Sequence, residues 1–428
     1  MAVSETSTKT NGRGRAAEAK RAKEPQETYG PSEGGSLGAG ARAMEVLAPE
    51  GGLGVLDPVS FSKALSRFGN EVARRPVPTL RALSRLGAGL ALTGVAAAGR
   101  AAGIKTPPAL PSSGKDRRFT DPAWEQNAGY FTLHQSYRLM ERFVDDLLGL
   151  AELEEPWDGK ARFALRMLVD AAAPTNFLAT NPAALKRAFD TGGLSLARGT
   201  RNFITDLATN GGLPRKVDRS AFTLGKNLAA TPGKVIFRND LMELIQYAPA
   251  TETVHEVPLL CSPPWINKYY IMDLAPGRSF VEWAIKHGHT VFQISYRNPD
   301  ETMGNTRLDD YLLDGPRTAL DVVNDITGSE KVNMAGLCLG GSLTAMLLAY
   351  LAAKGDDRIN SATLLNTLID FSEPGTLGAF SDPESVARLE TKMAKRGFLD
   401  SKEMSRTFDF MRANDLIWSY VASSWLMG

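Results

Sequence analysis

The sequence predicts an α/β fold in which a mainly parallel sheet is covered on both faces by helices. Between residues 232 and 370, short apolar stretches alternate with longer helical patterns, which is typical of βαβ units. A cysteine flanked by glycines stands where one of these strands meets a helix. The sequence on either side, 117–231 and 371–428, has helical periodicity.

Composition and charge exclude several classes of protein. Of 428 residues, 43% are hydrophobic and 23% are charged, which is typical of a soluble globular protein. The formal net charge is +1 and no strongly basic face is predicted, so we expect no nucleic-acid partner. The two cysteines, Cys261 and Cys338, are too few for a disulfide framework, and the N-terminus lacks the apolar core of a secretory signal. A reducing cytoplasm is the expected compartment.

The first 116 residues are predicted to contain no compact domain. Residues 1–57 are predicted to be a disordered tail, because they begin with a long polar stretch that is poor in aromatic side chains. Residues 58–116 are an Ala/Gly-rich, basic helical segment followed by a linker. This segment either packs loosely on the surface or adsorbs to a hydrophobic or anionic surface. Its apolar stretch at 86–99 has fourteen residues, whereas a membrane span needs roughly 20, so no transmembrane segment is predicted.

The elements that follow are read from periodicity and turn signals. Residues 117–231 are predicted to form an N-terminal helical domain, because Leu133, Tyr137 and Met140 recur three or four apart. Residues 371–428 are predicted to be helical again. Between them the predicted core elements are a hairpin at 234–249, a strand at 254–261, a helix at 278–288, a strand at 290–296, a helix at 308–326 interrupted at Gly315-Pro316, a strand at 331–337, a helix at 340–355 and a strand within 359–370.

A nucleophile elbow is predicted at residues 336–341. The local sequence has the form G-x-nucleophile-x-G, in which a sharp strand-to-helix turn lifts the nucleophile above the sheet. A Cβ at either flank of so sharp a bend would collide with the neighbouring strand or helix, so both flanks are glycine. The elbow and the order of elements predict an α/β-hydrolase-like core that lacks its last strands, followed by a partial helical cap. The elbow residues are the nucleophile Cys338 and the glycines Gly336, Gly340 and Gly341.

Two backbone amides are predicted to support this thiol. The N-terminus of the following helix would stabilise the thiolate, and the N–H of Leu339 would face a tetrahedral oxyanion. The second donor would come from the loop at 262–270, from Ile266 or from Trp265. As an alternative, Cys338 would be a small buried residue in a glycine turn. Cys261 ends an apolar strand without an elbow, so we expect it in the core.

The remaining members of a catalytic triad are missing from the sequence. An α/β-hydrolase takes its acid and its histidine from positions after the nucleophile. Asp370 could serve as the acid or could simply end the sixth strand. The histidines do not cluster with cysteines or carboxylates at ligand spacing, so neither a metal nor another cofactor is predicted. All four histidines precede Cys338: His134, His255 (expected at the sheet end opposite the elbow), His287 and His289.

Five longer motifs stand in a fixed order along the chain: DPAWEQNAGY (121–130), TPGKVIFRNDLMELIQY (231–247), PPWINKYYIMDLAPGRSFVEWAIKHGHTVFQISYRNPD (263–300), GLCLGG (336–341) and NDLIWSYVASSWLMG (414–428). In this order they resemble class I polyhydroxyalkanoate synthases, from about Arg117 to the last residue. The resemblance implies an acyltransferase that polymerises (R)-3-hydroxyacyl-CoA and releases CoA. It also implies a lipase-like box on Gly336, Cys338 and Gly340, short acyl groups and a polymer chain or granule surface as partner, and it is compatible with a homodimer.

The resemblance also implies an aspartate and a histidine beyond the helical cap. The sequence ends within the predicted cap, so we expect a C-terminally truncated synthase whose thiol lacks its general base. Its sixth strand would be left unpaired, which predicts poor solubility or association through that edge. Two alternatives remain open. One is a cysteine hydrolase or thioesterase of the same fold, and the other is a non-catalytic protein that associates with granule surfaces through residues 58–105.

Overall fold

The computed structural model describes residues 57–104, 106–111 and 116–428. Its strands are β1 (Gly233–Arg238), β2 (Met242–Tyr247), β3 (Leu259–Ser262), β4 (Asp273–Ala275), β5 (Arg278–Ser279), β6 (Val291–Tyr296), β7 (Val332–Leu337) and β8 (Ile359–Leu365). Six of them form one sheet in the order β1-β2-β6-β3-β7-β8. The pairs β1–β2 and β2–β6 are antiparallel, and the other three pairs are parallel.

Helices precede the strands of this sheet in the sequence, connect several of them and follow the last one. They are α1 (Pro58–Ala73), α2 (Pro76–Ala101), α3 (Ala123–Gln126), α4 (Ala128–Leu150), α5 (Trp157–Ala171), α6 (Pro182–Asp190), α7 (Leu194–Thr209), α8 (Phe280–Lys286), α9 (Leu308–Leu312), α10 (Thr318–Thr327), α11 (Leu339–Lys354), α12 (Pro383–Arg396) and α13 (Ser401–Met411). Two π-helical segments, Asn414–Trp418 and Val421–Leu426, follow α13.

The topology confirms the predicted α/β-hydrolase-like core. An antiparallel hairpin leads into parallel strands, and every parallel connection carries a helix. The predicted interruption between α9 and α10 is present, because Gly315 has non-helical dihedral angles (φ −91°, ψ −113°) beside Pro316. Two clusters of buried side chains pack on the sheet. One includes Tyr247, Cys261, Val281, Ile285, Val291 and Ala335. The other includes Met242, Leu244, Leu260, Phe292, Ile294, Leu320, Val332, Met334 and Leu347.

Two details of the predicted core are wrong. The third strand begins at Leu259 rather than at residue 254, because Pro258 has no N–H to donate to a ladder. The two-stranded ribbon of β4 and β5 was not predicted at all. Its strands have three and two residues, which is too short for any periodicity to appear in the sequence.

The N-terminal helices pack on one another and on the C-terminal segment. Phe61 of α1 is 2% exposed and lies 5.6 Å, ring to ring, from Phe163 of α5. The same cluster includes Phe410 of α13 and Ile417. Helix α2 packs along α4, where a side chain at Gly89 would meet Leu139. Helices from residues 58–101 are therefore part of the packed molecule.

The ends of the N-terminal segment differ from the prediction in two respects. Asp57, which was assigned to the disordered tail, caps α1 by accepting hydrogen bonds from the N–H groups of Val59 (3.2 Å) and Ser60 (2.9 Å). The rest of the predicted tail, and residues 105 and 112–115 of the predicted linker, lie outside the described residues. The apolar stretch at 86–99 belongs to the longer helix α2, which has 26 residues and is, by length and composition alone, able to cross a membrane. One such helix is weak evidence for a membrane span.

Candidate active site

Cys338 occupies the bend between β7 and α11. Its dihedral angles are φ 55° and ψ −124°, in a region that a residue with a Cβ rarely adopts. The side chain is exposed, so the alternative of a small buried residue is wrong. The structure therefore holds a thiol in a strained position that faces solvent.

Backbone hydrogen bonds hold this strained residue in place. The N–H of Cys338 donates to the carbonyl of Leu365, the last residue of β8, at 3.0 Å. Its own carbonyl accepts from the N–H groups of Gly341 (2.9 Å) and Ser342 (3.1 Å), in the first turn of α11. A strand on one side and a helix on the other thus over-determine the conformation of the bend.

The elbow glycines lie where no side chain fits. A Cβ added at Gly336 would stand 2.5 Å from the Cα of Gly341. At Gly340 it would stand 2.2 Å from the carbonyl oxygen of Ser262 and 2.3 Å from that of Pro263, and at Gly341 it would stand 1.9 Å from Thr367 Oγ1. The end of β3, the segment after β8 and the first turn of α11 therefore converge on the elbow.

The two predicted oxyanion donors lie on different elements. Leu339 is the first residue of α11, and within the described residues its N–H has no hydrogen-bond acceptor, as expected for the first turn of a helix. Ile266 lies on the loop after β3, with a side chain that is 44% exposed. This loop starts at Pro263, whose carbonyl lies against Gly340. Trp265, the other candidate for the second donor, packs against Tyr311 with ring centroids 4.5 Å apart.

A cluster of buried polar atoms behind this loop was missed from the sequence. In the described part of the chain, Ser262 Oγ, Trp265 Nε1 and the Tyr296 hydroxyl reach no partner with hydrogen-bond geometry. Burial raises the pKa of Tyr296, although Ser262 and Trp265 lie near enough to oppose the rise. A usable signal was present, because Ser262 and Tyr296 end adjacent parallel strands, and ligand sites in α/β sheets lie beyond the carboxyl ends of strands.

The histidines lie away from the elbow. His255 and His289 precede β3 and β6, with ring centroids 4.8 Å apart, and His255 Nε2 is 3.0 Å from the carbonyl oxygen of His287. Strand β3 runs parallel to both β6 and β7, so the starts of these three strands lie at one end of the sheet. His255 and His289 therefore lie at the end opposite Cys338, which follows β7, as expected for His255. His134 is buried in α4 against Phe119, and burial lowers its pKa to about 4.

Two further predicted residues fall into contrasting environments. Asp370 is exposed beyond β8 and accepts a hydrogen bond from the N–H of Ser372 at 2.9 Å, which lowers the pKa of the carboxyl group. Cys261 lies in the core, where burial raises the pKa of its thiol to about 12. Cys338 and Cys261 therefore differ sharply in their access to an electrophile.

A cavity of about 1030 Å³ opens beside the loop that carries Ile266. Three separate parts of the chain line it: residues 209–220 at the end of α7 and after it, residues 266–271 after β3, and residues 401–416 of the predicted cap. The cavity thus joins the helical N-terminal part, the core and the C-terminal segment.

Comparison with known proteins gives a consistent picture. Residues 115–284 match the family described as Poly-beta-hydroxybutyrate polymerase (PhaC) N-terminus. The chain is 42% identical over 371 residues to a poly(3-hydroxyalkanoate) polymerase of Methylorubrum extorquens, covering 86% of this chain and 61% of that protein. It is 42% identical over 318 residues to the poly(3-hydroxyalkanoate) polymerase subunit PhaC of Cupriavidus necator, covering 73% of this chain and 54% of that protein.

A third relative is covered more fully. The chain is 39% identical over 391 residues to poly(3-hydroxyalkanoate) polymerase 2 of Ectopseudomonas oleovorans, covering 91% of this chain and 67% of that protein. The chain thus spans between half and two thirds of the length of these curated relatives. Among solved structures, a putative hydrolase from Agrobacterium vitis is 16% identical over 37% of this chain and 60% of that one, with a TM-score of 0.26, too low to bear on this chain.

Proposed function

This chain belongs to the poly(3-hydroxyalkanoate) polymerase family, and on that premise we propose that it transfers hydroxyacyl groups from CoA to Cys338 during polymer synthesis. The proposed substrate is an (R)-3-hydroxyacyl-CoA, and the proposed products are a polyhydroxyalkanoate chain and CoA. One observation supports the assignment of Cys338 most directly. It is the exposed thiol at a strained strand-to-helix bend, with the free N-terminal amide of α11 beside it.

The proposed step exchanges one thioester for another. The Cys338 thiolate attacks the thioester carbonyl, and the tetrahedral oxyanion is stabilised by the N–H of Leu339 and by a second donor on the loop of Ile266. The bond from carbon to the CoA sulfur breaks, and CoA leaves as a thiolate that takes up a proton. A hydroxyl group of another hydroxyacyl unit then attacks the acyl-cysteine. The bond from carbon to Sγ breaks as the ester forms, and the hydroxyl proton goes to the sulfur, which restores the cysteine. Conversion of a thioester to an oxygen ester is downhill, which drives chain growth.

The proposal assigns Cys338 as the nucleophile and Leu339 as an oxyanion donor, and among the described residues no histidine lies beside them to act as a general base. All four histidines lie elsewhere, three of them at the opposite end of the sheet. Losing one member of such a unit commonly lowers the rate by orders of magnitude. We therefore propose that this chain acylates Cys338 slowly and turns over poorly by itself.

The test is covalent capture of the acyl group. The 428-residue chain is incubated for hours with (R)-3-hydroxybutyryl-CoA and analysed by intact mass and peptide mapping. We expect one hydroxyacyl adduct on Cys338 and release of one CoA. Cys338→Ala should abolish the adduct, whereas the matched control Cys261→Ala should retain it, because Cys261 is buried and protonated. An adduct on another side chain, or none, would falsify the assignment.

The same experiment separates the polymerase from a hydrolase of the same fold. A polymerase yields ester-linked oligomers on the protein or in solution. A cysteine hydrolase or thioesterase yields only the free hydroxy acid, in amounts equal to the CoA released. Mass analysis of the small-molecule products distinguishes the two reactions.

A second candidate function is association with the surface of polymer granules, and helix α2 supports it. One side of α2 is buried against α4 and consists of small residues, among them Ala82, Gly89 and Ala96. The remaining surface exposes large apolar side chains, which is the pattern of a helix that lies on an apolar surface. These side chains are Val77 (58% exposed), Leu80 (60%), Leu83 (51%), Leu92 (61%) and Val95 (70%).

Substitutions within α2 test this function better than a deletion of residues 58–105, because Phe61 of that segment lies in the core. Leu92→Glu combined with Val95→Glu should weaken adsorption to poly(3-hydroxybutyrate) granules in a sedimentation assay. The control Val235→Glu adds charge at an exposed apolar position of β1, away from α2, and should adsorb like the unaltered chain, as should Cys338→Ala. Equal adsorption by all variants would contradict the proposal.

A further inference from the structure

The cavity beside the loop after β3 is strongly cationic although the whole chain is nearly neutral. Its lining contains only two carboxylates, Asp218 and Asp409, whereas the formal net charge of the chain is +1. Six cationic side chains line it: Arg215, Lys216, Arg219, Lys268, Lys402 and Arg406. A concave surface with such an excess of one sign concentrates ligands of the opposite sign.

The two carboxylates of the lining are already engaged. Asp409 forms an ion pair with Lys216. Asp218 accepts hydrogen bonds from the N–H (2.9 Å) and the hydroxyl (2.6 Å) of Ser220. Arg215 lies 3.8 Å from the buried carboxylate of Asp206, which is outside the lining.

Three cations of the lining have no such partner. Among the described residues, no carboxylate lies within 4.0 Å of the charged groups of Arg219, Lys268 or Lys402, and each of the three residues keeps part of its surface in contact with solvent. Partial burial lowers the pKa of Lys268, because removing water from around an ammonium group disfavours its charged form. An anionic ligand would offset that cost.

The cavity lies within reach of the elbow. The carbonyl of Pro263 lies against Gly340, beside the nucleophile, and Lys268 follows Pro263 by five residues on the same loop. At 3.3–3.6 Å per residue, those five residues span at most roughly 18 Å. An elongated substrate could therefore place its reacting end at Cys338 and its other end among these cations.

We infer that this cavity binds the phosphate groups of a CoA thioester, with Arg219, Lys268 and Lys402 as their principal contacts. The inference rests on the proposed function, since it places the carrier of the acyl group. In CoA a long uncharged arm separates the sulfur from a diphosphate and a 3′-phosphate. A phosphomonoester alone carries a charge of about −1.5 to −2 at neutral pH, and charge-assisted hydrogen bonds from Lys and Arg are the usual means of holding it. A growing polyester has no charge and gains nothing from this lining.

The experiment measures binding rather than turnover. The 428-residue chain is titrated calorimetrically with CoA, with pantetheine, which lacks the phosphates, and with inorganic phosphate. We expect CoA to bind more tightly than pantetheine or inorganic phosphate. Its affinity should fall as the salt concentration is raised. Lys268→Glu combined with Lys402→Glu should weaken CoA binding by about tenfold or more, on the scale of lost charged hydrogen bonds. Binding of pantetheine should not change.

Two further variants make the result interpretable. Arg219→Ala tests the third cation singly, in case the double variant unfolds below the assay temperature. Lys234→Glu, on the outer strand β1 and outside the cavity lining, is the matched control and should bind CoA normally. The site is refuted if CoA does not bind, if the control loses as much affinity as the cavity variants, or if CoA and pantetheine lose affinity equally.

The outcome is separate from that of the acylation test. If the cavity variants lose CoA binding but no adduct forms on Cys338, the nucleophile assignment fails and the phosphate site stands. If Cys338 is acylated while the cavity variants bind CoA normally, the nucleophile stands and the phosphate site fails. Cys338→Ala should bind CoA normally in either case.

Discussion

At the scale of single residues, the reactivity proposed for Cys338 depends on neighbours that lack side chains. The strained φ of 55° brings the backbone of the elbow against the end of β3. The carbonyl oxygens of Ser262 and Pro263 occupy the space that a Cβ at Gly340 would need. Backbone atoms of a central strand cannot move aside as the end of a flexible side chain can.

Replacing Gly340 tests this packing. The Cβ of Gly340→Ala would stand 2.2 Å from the Ser262 carbonyl oxygen, so we expect a loss of about 1–3 kcal/mol in the free energy of unfolding. Urea unfolding measures it. The control Gly94→Ala adds a Cβ to α2 with nothing within 4 Å, and it should leave stability unchanged or raise it by about 0.5–1 kcal/mol. Equal effects of the two substitutions would show that the elbow has room for a side chain.

At the scale of elements, a buried lysine joins three parts of the chain. Lys160 of α5 is fully buried, with Nζ 2.5 Å from Ser60 Oγ of α1 and 3.2 Å from Ser385 Oγ of α12. The same Nζ is 2.6 Å from Asp382 Oδ2, at the residue that caps α12. The start of the C-terminal helices is therefore anchored to the N-terminal helices by one ion pair with two hydroxyl partners.

Removing the lysine should destabilise the chain strongly. Lys160→Met leaves the carboxylate of Asp382 buried without its cation, and breaking a buried pair in this way commonly costs about 3–5 kcal/mol. The matched control is Lys186→Met, because Lys186 pairs with Asp190 at 3.5 Å on the surface; exposed pairs contribute about 0–1 kcal/mol. Urea unfolding of both variants tests the difference. A loss in Lys160→Met no larger than that in the control would contradict the anchoring role.

The same pair predicts a dependence on pH. Burial acts to raise the pKa of Asp382, but Lys160 and Ser385 stabilise the carboxylate and hold its pKa below the usual value. A lowered folded-state pKa contributes stability above the unfolded pKa of about 3.9, and that contribution disappears as the pH falls through the folded-state pKa. The difference in unfolding free energy between the unaltered chain and Asp382→Asn should therefore shrink below about pH 4. A difference that is constant from pH 3 to pH 7 would exclude this role.

At the scale of the whole molecule, the sheet has an open edge. In the part of the chain that the structure describes, β8 pairs with β7 alone, and its central residues from Asn360 to Thr363 are exposed. An exposed edge offers unpaired backbone groups to another chain. The prediction from the sequence that this edge promotes association is thus consistent with the geometry and is still to be tested.

Association through β8 should respond to a single charge. Ala362→Lys places a cation on the exposed edge and should lower the apparent mass measured by light scattering at increasing protein concentration. Val235→Lys, at an exposed position of the opposite edge strand β1, is the control and should associate like the unaltered chain. A chain that is monomeric and melts sharply before any substitution would refute the prediction.

Much of the core was predictable because its signals are local. The bend at Cys338 shows its glycines, Gly336 and Gly340, within five residues of sequence, although the carbonyl oxygens that exclude a side chain at Gly340 belong to the distant end of β3. The order of strands and helices is likewise visible, because the apolar periodicity within each element reflects which of its own side chains are buried. By contrast, the ribbon of β4 and β5 is held from outside, since the buried Asp273 accepts a hydrogen bond from the hydroxyl of Thr231 at 2.6 Å. Nothing in the spacing of those residues indicates the contact.

The sequence by itself determined the order of the core elements, the family and the position of the cysteine at the strand-to-helix bend, because each of these leaves a pattern in neighbouring residues. Only the tertiary structure decided which distant groups meet. Lys160 and Ser385 are separated by 225 positions, and the cations of the cavity come from three segments that no periodicity relates. The physical reason is that packing and electrostatic interactions depend on distance in space, whereas the patterns in a sequence record only the surroundings of one element at a time.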